Sequence, residues 1–240
     1  MRERLFFSTR WAMVLKAGDS TATTVHALTA LSELCQVYWR PVYAFLRKQG
    51  YSYTDAQDLT QGFFVHLIEH RRYARADRDK GRFRSFLLAI LKNFIADARD
   101  REHALKRGAG IVLENLDANA QAQIAQGATW PAADEVYDRE WAASLVRQAL
   151  DRLAQECALV GKTDLLKLLM PRLVAKENVA ITYEEMARRS RRSVATLRHE
   201  RVRMGARFRA ILREEVRAIV PDATEVDDEL RYLCRALAAT

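Results

Sequence analysis

The sequence predicts an all-α protein made of two small helical domains joined by a flexible linker. Three observations lead there. Only four prolines and nine glycines interrupt 240 residues. Apolar side chains recur at steps of three and four, which places them on one face of a helix. Hydrophobic residues make up 49% of the chain, enough for packed cores and too much for a disordered basic tail.

Taken in order, residues from about 24 to 49 read as one or two helices. Leu28, Leu31, Leu34, Val37, Tyr38, Val42, Phe45 and Leu46 keep the helical step. Pro41 is expected to kink or start a helix, because its ring blocks the preceding turn. Gly50 is a natural stop. Ser52 or Thr54 can cap the next helix, with Asp55 and Asp58 in its first turns, where the helix dipole favours acids. That helix carries Ala56, Leu59, Phe63 and Leu67 on one face and runs to about Glu69. A basic stretch, 71–81, reads as a loop or a short irregular helix. Phe86, Leu87, Ile90, Leu91, Phe94 and Ile95 then define a helix from about Arg84 to Lys106, and Gly108 and Gly110 are expected to close a first domain, 1–110.

Residues 111–133 are rich in Asn, Gln, Ala and Asp and contain Gly127 and Pro131, the composition of a linker. A second domain, 134–240, follows. Val136, Trp141, Leu145, Val146, Ala149, Leu150 and Leu153 mark one helix. Leu165, Leu168, Leu169, Leu173 and Val174 mark another. Short and long helices are expected near 183–188 and 193–217. A last one runs from Thr224 to Ala238.

The formal net charge is +8, which favours a polyanionic partner, nucleic acid or an anionic surface. The longest uncharged apolar run, Phe86 to Leu91, is far too short to span a bilayer. No secretory signal is visible at the start, so a reducing cytoplasm is the expected compartment. Cys35, Cys157 and Cys234 are widely separated, with no metal-ligand spacing, and read as reduced, mostly buried thiols. The five histidines show no HExxH-like spacing, and neither a GxSxG nor a P-loop occurs. No catalytic residue, metal ligand or cofactor is therefore assigned. An unrecognised phosphoryl-transfer or nuclease site built from Asp55, Asp58, Glu69 and Asp97 is the weakest of the rival readings.

Two constellations remain. Near the C-terminus, Thr182 suits an N-cap with Glu185 as its capping-box partner, and Met186 and Ala187 fall at core positions. Ser193 suits a second cap, with Val194 and Leu197 inward. This is a helix-turn-helix pattern, which places a second helix in the major groove. Its outward residues are Thr196, Arg198, His199, Arg201 and Arg203, next to Arg192 and Ser193. Arginines crowd the span 188–213, opposed within it only by Glu200, and guanidinium groups suit phosphates and guanine edges. In the N-terminal half, Arg82, Arg84, Lys92, Arg99, Arg101, Lys106 and Arg107 lie among Tyr73, Phe83, Phe86 and Phe94. Cations beside rings suit unpaired bases. Phe86 and Phe94 fit the apolar periodicity and are assigned to the core, while Tyr73 and Phe83 stay open.

With these residues in view, the chain resembles a bacterial RNA polymerase sigma factor of the extracytoplasmic-function type. The runs Tyr38-Trp-Arg-Pro-Val-Tyr-Ala-Phe-Leu-Arg-Lys-Gln-Gly-Tyr-Ser52 and Asp55-Ala-Gln-Asp-Leu-Thr-Gln-Gly-Phe-Phe64 look like region two. The resemblance implies that Asp55, Asp58 and Gln61 dock on the β′ clamp helices of core RNA polymerase. It implies that Gly81 to Arg101 opens and reads the minus-ten element, through Arg82, Arg84, Lys92, Asn93, Arg99 and Arg101. Thr182 to Arg213 is similar to region four, which reads the minus-thirty-five element and meets the β flap. Promoter DNA and core polymerase are thus the expected partners; an anti-sigma protein and a Ser/Thr kinase are further candidates.

Two departures accompany the resemblance. Ser190, Arg191 and Arg192 stand where the usual turn has an apolar residue, a Gly and another apolar residue. Gln57, Thr60, Gln61 and Gly62 stand where many relatives carry acids. The second departure resembles a subgroup controlled by phosphorylation, with Thr60 as the candidate site; an ordinary threonine facing the neighbouring helix is the alternative. A free-standing helix-turn-helix regulator is the alternative to the sigma-factor reading.

Overall fold

A computed structural model describes residues 25–70, 82–109, 130–174, 181–220 and 222–238. Among the described residues there are eight α-helices and no strand. They are α1 (Val25–Lys48), α2 (Tyr53–Glu69), α3 (Phe83–Ala109), α4 (Trp130–Leu159), α5 (Thr163–Val174), α6 (Tyr183–Ser190), α7 (Val194–Ile219) and α8 (Val226–Ala238), the last preceded by a 3-10 turn at Ala223–Glu225. The all-α expectation holds. The basic stretch 71–81 with Tyr73, and the expected linker up to residue 129, lie outside the described residues, while 130–133 of that linker, Pro131 included, form the first turn of α4.

The chain groups into two compact units. One joins residues up to Ser144 with those from Arg217 on; the other is Leu145–Val216. This grouping differs from the expected division at 111–133. Residues 134–144 and 217–240 belong with the N-terminal unit. The reason is burial: Tyr137, Trp141, Val226 and Leu233 are all nearly inaccessible there. The periodicity of those segments showed that they were amphipathic, not which core would take them.

In the first unit α1 packs on α2. Pro41 lies inside α1, which is one helix and not two. Its neighbours Val37, Tyr38, Val42, Phe45 and Leu46 are buried on both sides of it. Each such side chain contributes about 1.5–3 kcal/mol of burial, which outweighs one missing backbone hydrogen bond. Gly50 ends α1 as expected, at φ 91°, a conformation that costs a non-glycine residue. Ser52 caps α2, its Oγ accepting from the Asp55 amide at 3.1 Å. The helix α3 continues through Gly108 to Ala109, past the expected stop. Rings bind the core together. Tyr38 meets Phe83 edge-on at 5.6 Å, Phe45 meets Tyr137 at 6.4 Å, and Phe63 meets Phe94 at 5.7 Å. Phe83, left open by the sequence, is a core residue.

In the second unit Ala149, Leu153, Cys157, Leu165, Leu166, Leu169, Met186, Leu197, Met204 and Ile211 form one cluster. The cysteines are free thiols: Cys35 half-buried, Cys157 buried and Cys234 exposed. Burial pushes the Cys35 thiol up to about 11 and also raises Cys157, so neither is a thiolate at neutral pH. Cys234 departs from the expected burial.

Candidate nucleic-acid and partner interfaces

The outward face of α2 is the first candidate surface. Ala56, Thr60, Phe63, Phe64 and Leu67 are buried. Asp55, Asp58 and Gln61 are exposed. The same stripe continues, at helical steps, into Val65 and Ile68, which are 45% and 40% exposed. Sequence reading missed these two. Their spacing from Asp58 and Gln61 was the available signal, obscured because apolar residues are assigned inward by default. A face that is acidic and polar at one end and apolar at the other fits a protein partner better than a phosphate backbone.

Thr60 is fully buried, and its hydroxyl donates to the Ala56 carbonyl at 2.6 Å. The candidate phosphorylation site is thus an interior threonine closing a local bond within its own helix. A kinase cannot reach that hydroxyl while α2 is packed, so the observed placement matches the alternative reading of Thr60.

The six N-terminal DNA candidates separate by environment. Asn93 and Arg101 are exposed. The Arg99 Nε donates to the Tyr51 hydroxyl at 3.0 Å, and Lys92 pairs with Asp134 at 2.7 Å. Arg82 pairs with Glu229 at 2.6 Å. Arg84 is buried, only 6% exposed. Its guanidinium pairs with Glu229, lies 3.3 Å from Asp138, and sits 3.8 Å from the Tyr232 ring centroid and 4.8 Å from that of Trp141. Burial works against its charge, but Glu229 and Asp138 more than offset this, so its pKa is raised. The hydroxyl of Tyr232 bonds to Asp138, whose own helix also supplies Trp141. Arg84 as an exposed DNA contact is therefore corrected: α8 covers it. Nothing in the sequence linked positions 145 residues apart.

The second unit holds the short helix α6, a turn and the long helix α7. Thr182 caps α6, its Oγ1 accepting from the Glu185 amide at 3.2 Å. The Glu185 carboxylate turns to Arg188 and Arg189, at 2.6 and 2.9 Å. The hydrogen bond from Arg189, with Arg188 close by, holds that carboxyl below the usual range. The turn runs through Arg191 at φ 54°, ψ 34°, the left-handed region. Among the described residues it is the one non-glycine with positive φ. A turn without glycine thus puts a side chain in the left-handed region, at some strain. The amide of Arg192 returns to the Ala187 carbonyl at 3.3 Å, closing the helix end.

Ser193 caps α7, accepting from the Thr196 amide at 3.0 Å, and the two hydroxyls are 2.8 Å apart. Leu197 is buried, while Arg192, Ser193, Thr196, Arg198, His199, Arg201 and Arg203 are all exposed. Arg198 lies 5.4 Å from the Tyr183 ring, whose other neighbour is Arg172 at 4.3 Å. The arginine crowd is less one-signed than the sequence indicated. Arg207 is gripped by Glu156 and Glu214, and Lys162 binds Glu200 at 3.0 Å. The cations of the first half of α7, on its outward face, are those able to meet an anionic duplex.

Among the described residues no cluster of His, Cys, Asp and Glu is placed to hold a metal ion, and no helix is long and apolar enough to cross a membrane.

Residues 34–104 match the family model described as Sigma-70 region 2. The match spans less than half of the chain and covers α2 and nearly all of α3 within the first unit. It supports a sigma-70 family RNA polymerase sigma factor, a class of transcription initiation factors whose partners are core RNA polymerase and promoter DNA. No curated protein and no solved structure matches the chain.

Proposed function

We propose that the chain is an alternative sigma factor of the extracytoplasmic-function type, which docks on core RNA polymerase and directs promoter-specific initiation. The observation that carries the reading is the exposed stripe Asp58–Gln61–Val65–Ile68 on α2, inside the segment that matches region 2. Asp55, Asp58 and Gln61 meet the β′ clamp helices, and Val65 and Ile68 extend that contact with apolar area. Asn93 and Arg101, with Arg82, Lys92 and Arg99, serve the opened minus-ten strand.

The helix α7 reads the upstream duplex through Thr196, Arg198, His199, Arg201 and Arg203, with Arg192 and Ser193 at its entry. Side chains in the first turns of a recognition helix reach base edges, while the flanking cations fix register on phosphates. The same unit meets the β flap. An anti-sigma protein is a natural competitor for the α2 stripe. Control by a kinase acting at Thr60 is not part of this reading, because its hydroxyl is interior.

The test is co-purification with core polymerase, followed by run-off transcription from a promoter library. Polymerase capture and promoter-dependent transcripts are the expected results. Specific duplex binding without polymerase, together with failure to capture it, would replace this reading with a free-standing helix-turn-helix regulator.

A further inference from the structure

The two arginines that open α3, Arg82 and Arg84, converge on one carboxylate. Glu229 sets one oxygen 2.6 Å from Arg82 and gives the other to Arg84. Two guanidinium groups around one anion is the arrangement that binds a phosphate. Here the anion comes from the chain itself, from the first turn of α8, next to Asp227 and Asp228. Tyr232, one turn on, covers the Arg84 guanidinium and lies 6.3 Å from the fully buried Trp141 ring.

The attachment of α8 is unusually polar for a core helix. Its buried residues are Val226, Glu229 and Leu233, so one of three is a charge. A buried ion pair often holds no more firmly than the same area of apolar packing, because both charges give up water. Such a helix is displaceable by a competing anion. Release does not strand Arg84, since Asp138 remains 3.3 Å away on α4. It would uncover Trp141 beside Arg84, a ring-and-cation pairing suited to an unpaired nucleotide.

We infer that α8 is a built-in competitor for nucleic-acid phosphate, with Glu229 occupying the anion position at Arg82 and Arg84 until single-stranded DNA displaces it. This rests on the reading of α3 as a strand-binding helix. The device keeps the strand-binding cations closed in the free chain and opens them where a melted strand is at high local concentration.

The test uses the full chain and a labelled single-stranded oligonucleotide of about 12 nucleotides, titrated over a range of salt concentrations. Glu229→Gln removes the competing charge and keeps the side chain's shape. The variant is expected to bind about tenfold tighter, the scale of one contact to a charged group. Its log affinity against log salt is expected to steepen by about 0.7–1.4, for one or two new phosphate contacts. Adding Arg82→Ala should remove much of the gain. A folded Glu229→Gln variant with unchanged affinity and slope overturns the inference, as does absence of oligonucleotide binding by both proteins. If the variant does not fold, amide exchange of 226–238 in the natural chain decides. Faster exchange on adding oligonucleotide supports release, and unchanged exchange overturns it. Capture of core polymerase is scored separately, so failure of the latch leaves the sigma-factor reading standing, and the reverse.

Discussion

Arg207 holds Glu156 with two parallel bonds: its Nε donates to Oε2 at 2.7 Å and its Nη2 to Oε1 at 2.6 Å. The pair ties α7 to α4 within the second unit. It also takes Arg207 off the list of cations free for DNA. Both side chains are more than a third exposed, so solvent screening keeps the pair near the upper end of surface ion pairs, about 1 kcal/mol. Arg207→Lys, which cannot form the fork, should cost about that much and lower the melting temperature by a few degrees. Its duplex affinity should stay within about twofold of the natural protein. A loss as large as that of Arg203→Ala would show that Arg207 reaches the duplex.

Acid should loosen this unit. Glu156 is held below its ordinary 4.5 by the Arg207 hydrogen bond, and Glu200 by that of Lys162. With folded values below the unfolded ones, their contribution is complete above about pH 4.5 and is lost as pH falls through the lower folded values. Chemical denaturation followed from pH 6 to pH 3 should show stability falling in that acid window. The fall should be shallower in Arg207→Lys.

Arg191 sits in a left-handed conformation at the end of α6. A side chain there costs about 1 kcal/mol relative to glycine. Arg191→Gly should therefore stabilise the protein by about 0.5–1 kcal/mol, and Arg191→Val should destabilise it by more than the glycine gains. Thermal melting of the two variants checks both signs.

The docking proposed for the α2 stripe can be tested apart from folding. Val65→Glu places a charge on an exposed position, so the melting temperature should move little, whereas capture of core polymerase should fall at least tenfold. Thr60→Asp makes the opposite prediction. It buries a carboxylate with no partner and should cost several kcal/mol, so loss of polymerase binding by that variant reports unfolding. Mass spectrometry of the natural folded protein treated with kinase should find no phosphate at Thr60.

On α7, Arg198→Ala and Arg203→Ala should each weaken duplex binding within the polymerase complex. Each should reduce the slope of log affinity against log salt by about 0.9. Unchanged slopes in both would remove α7 from the duplex.

The sequence by itself determined the helices and several of their ends. Ser52, Thr182 and Ser193 cap where a short hydroxyl side chain precedes an apolar period, and Gly50 stops α1, because capping and left-handed geometry are local chemistry. It also determined the outward face of α7 and the acidic face of α2, because exposure follows helical period once the core face is known. It left open whether Pro41 divides the first helix, and buried neighbours on both sides hold α1 in one piece. Only the tertiary structure decided that Arg84 is interior, that Thr60 is inaccessible, and that 134–144 and 217–240 join the N-terminal unit. The physical reason is one and the same. A lone arginine reads as a solvated cation until a carboxylate 145 residues away makes its burial tolerable, and no local pattern encodes that partner.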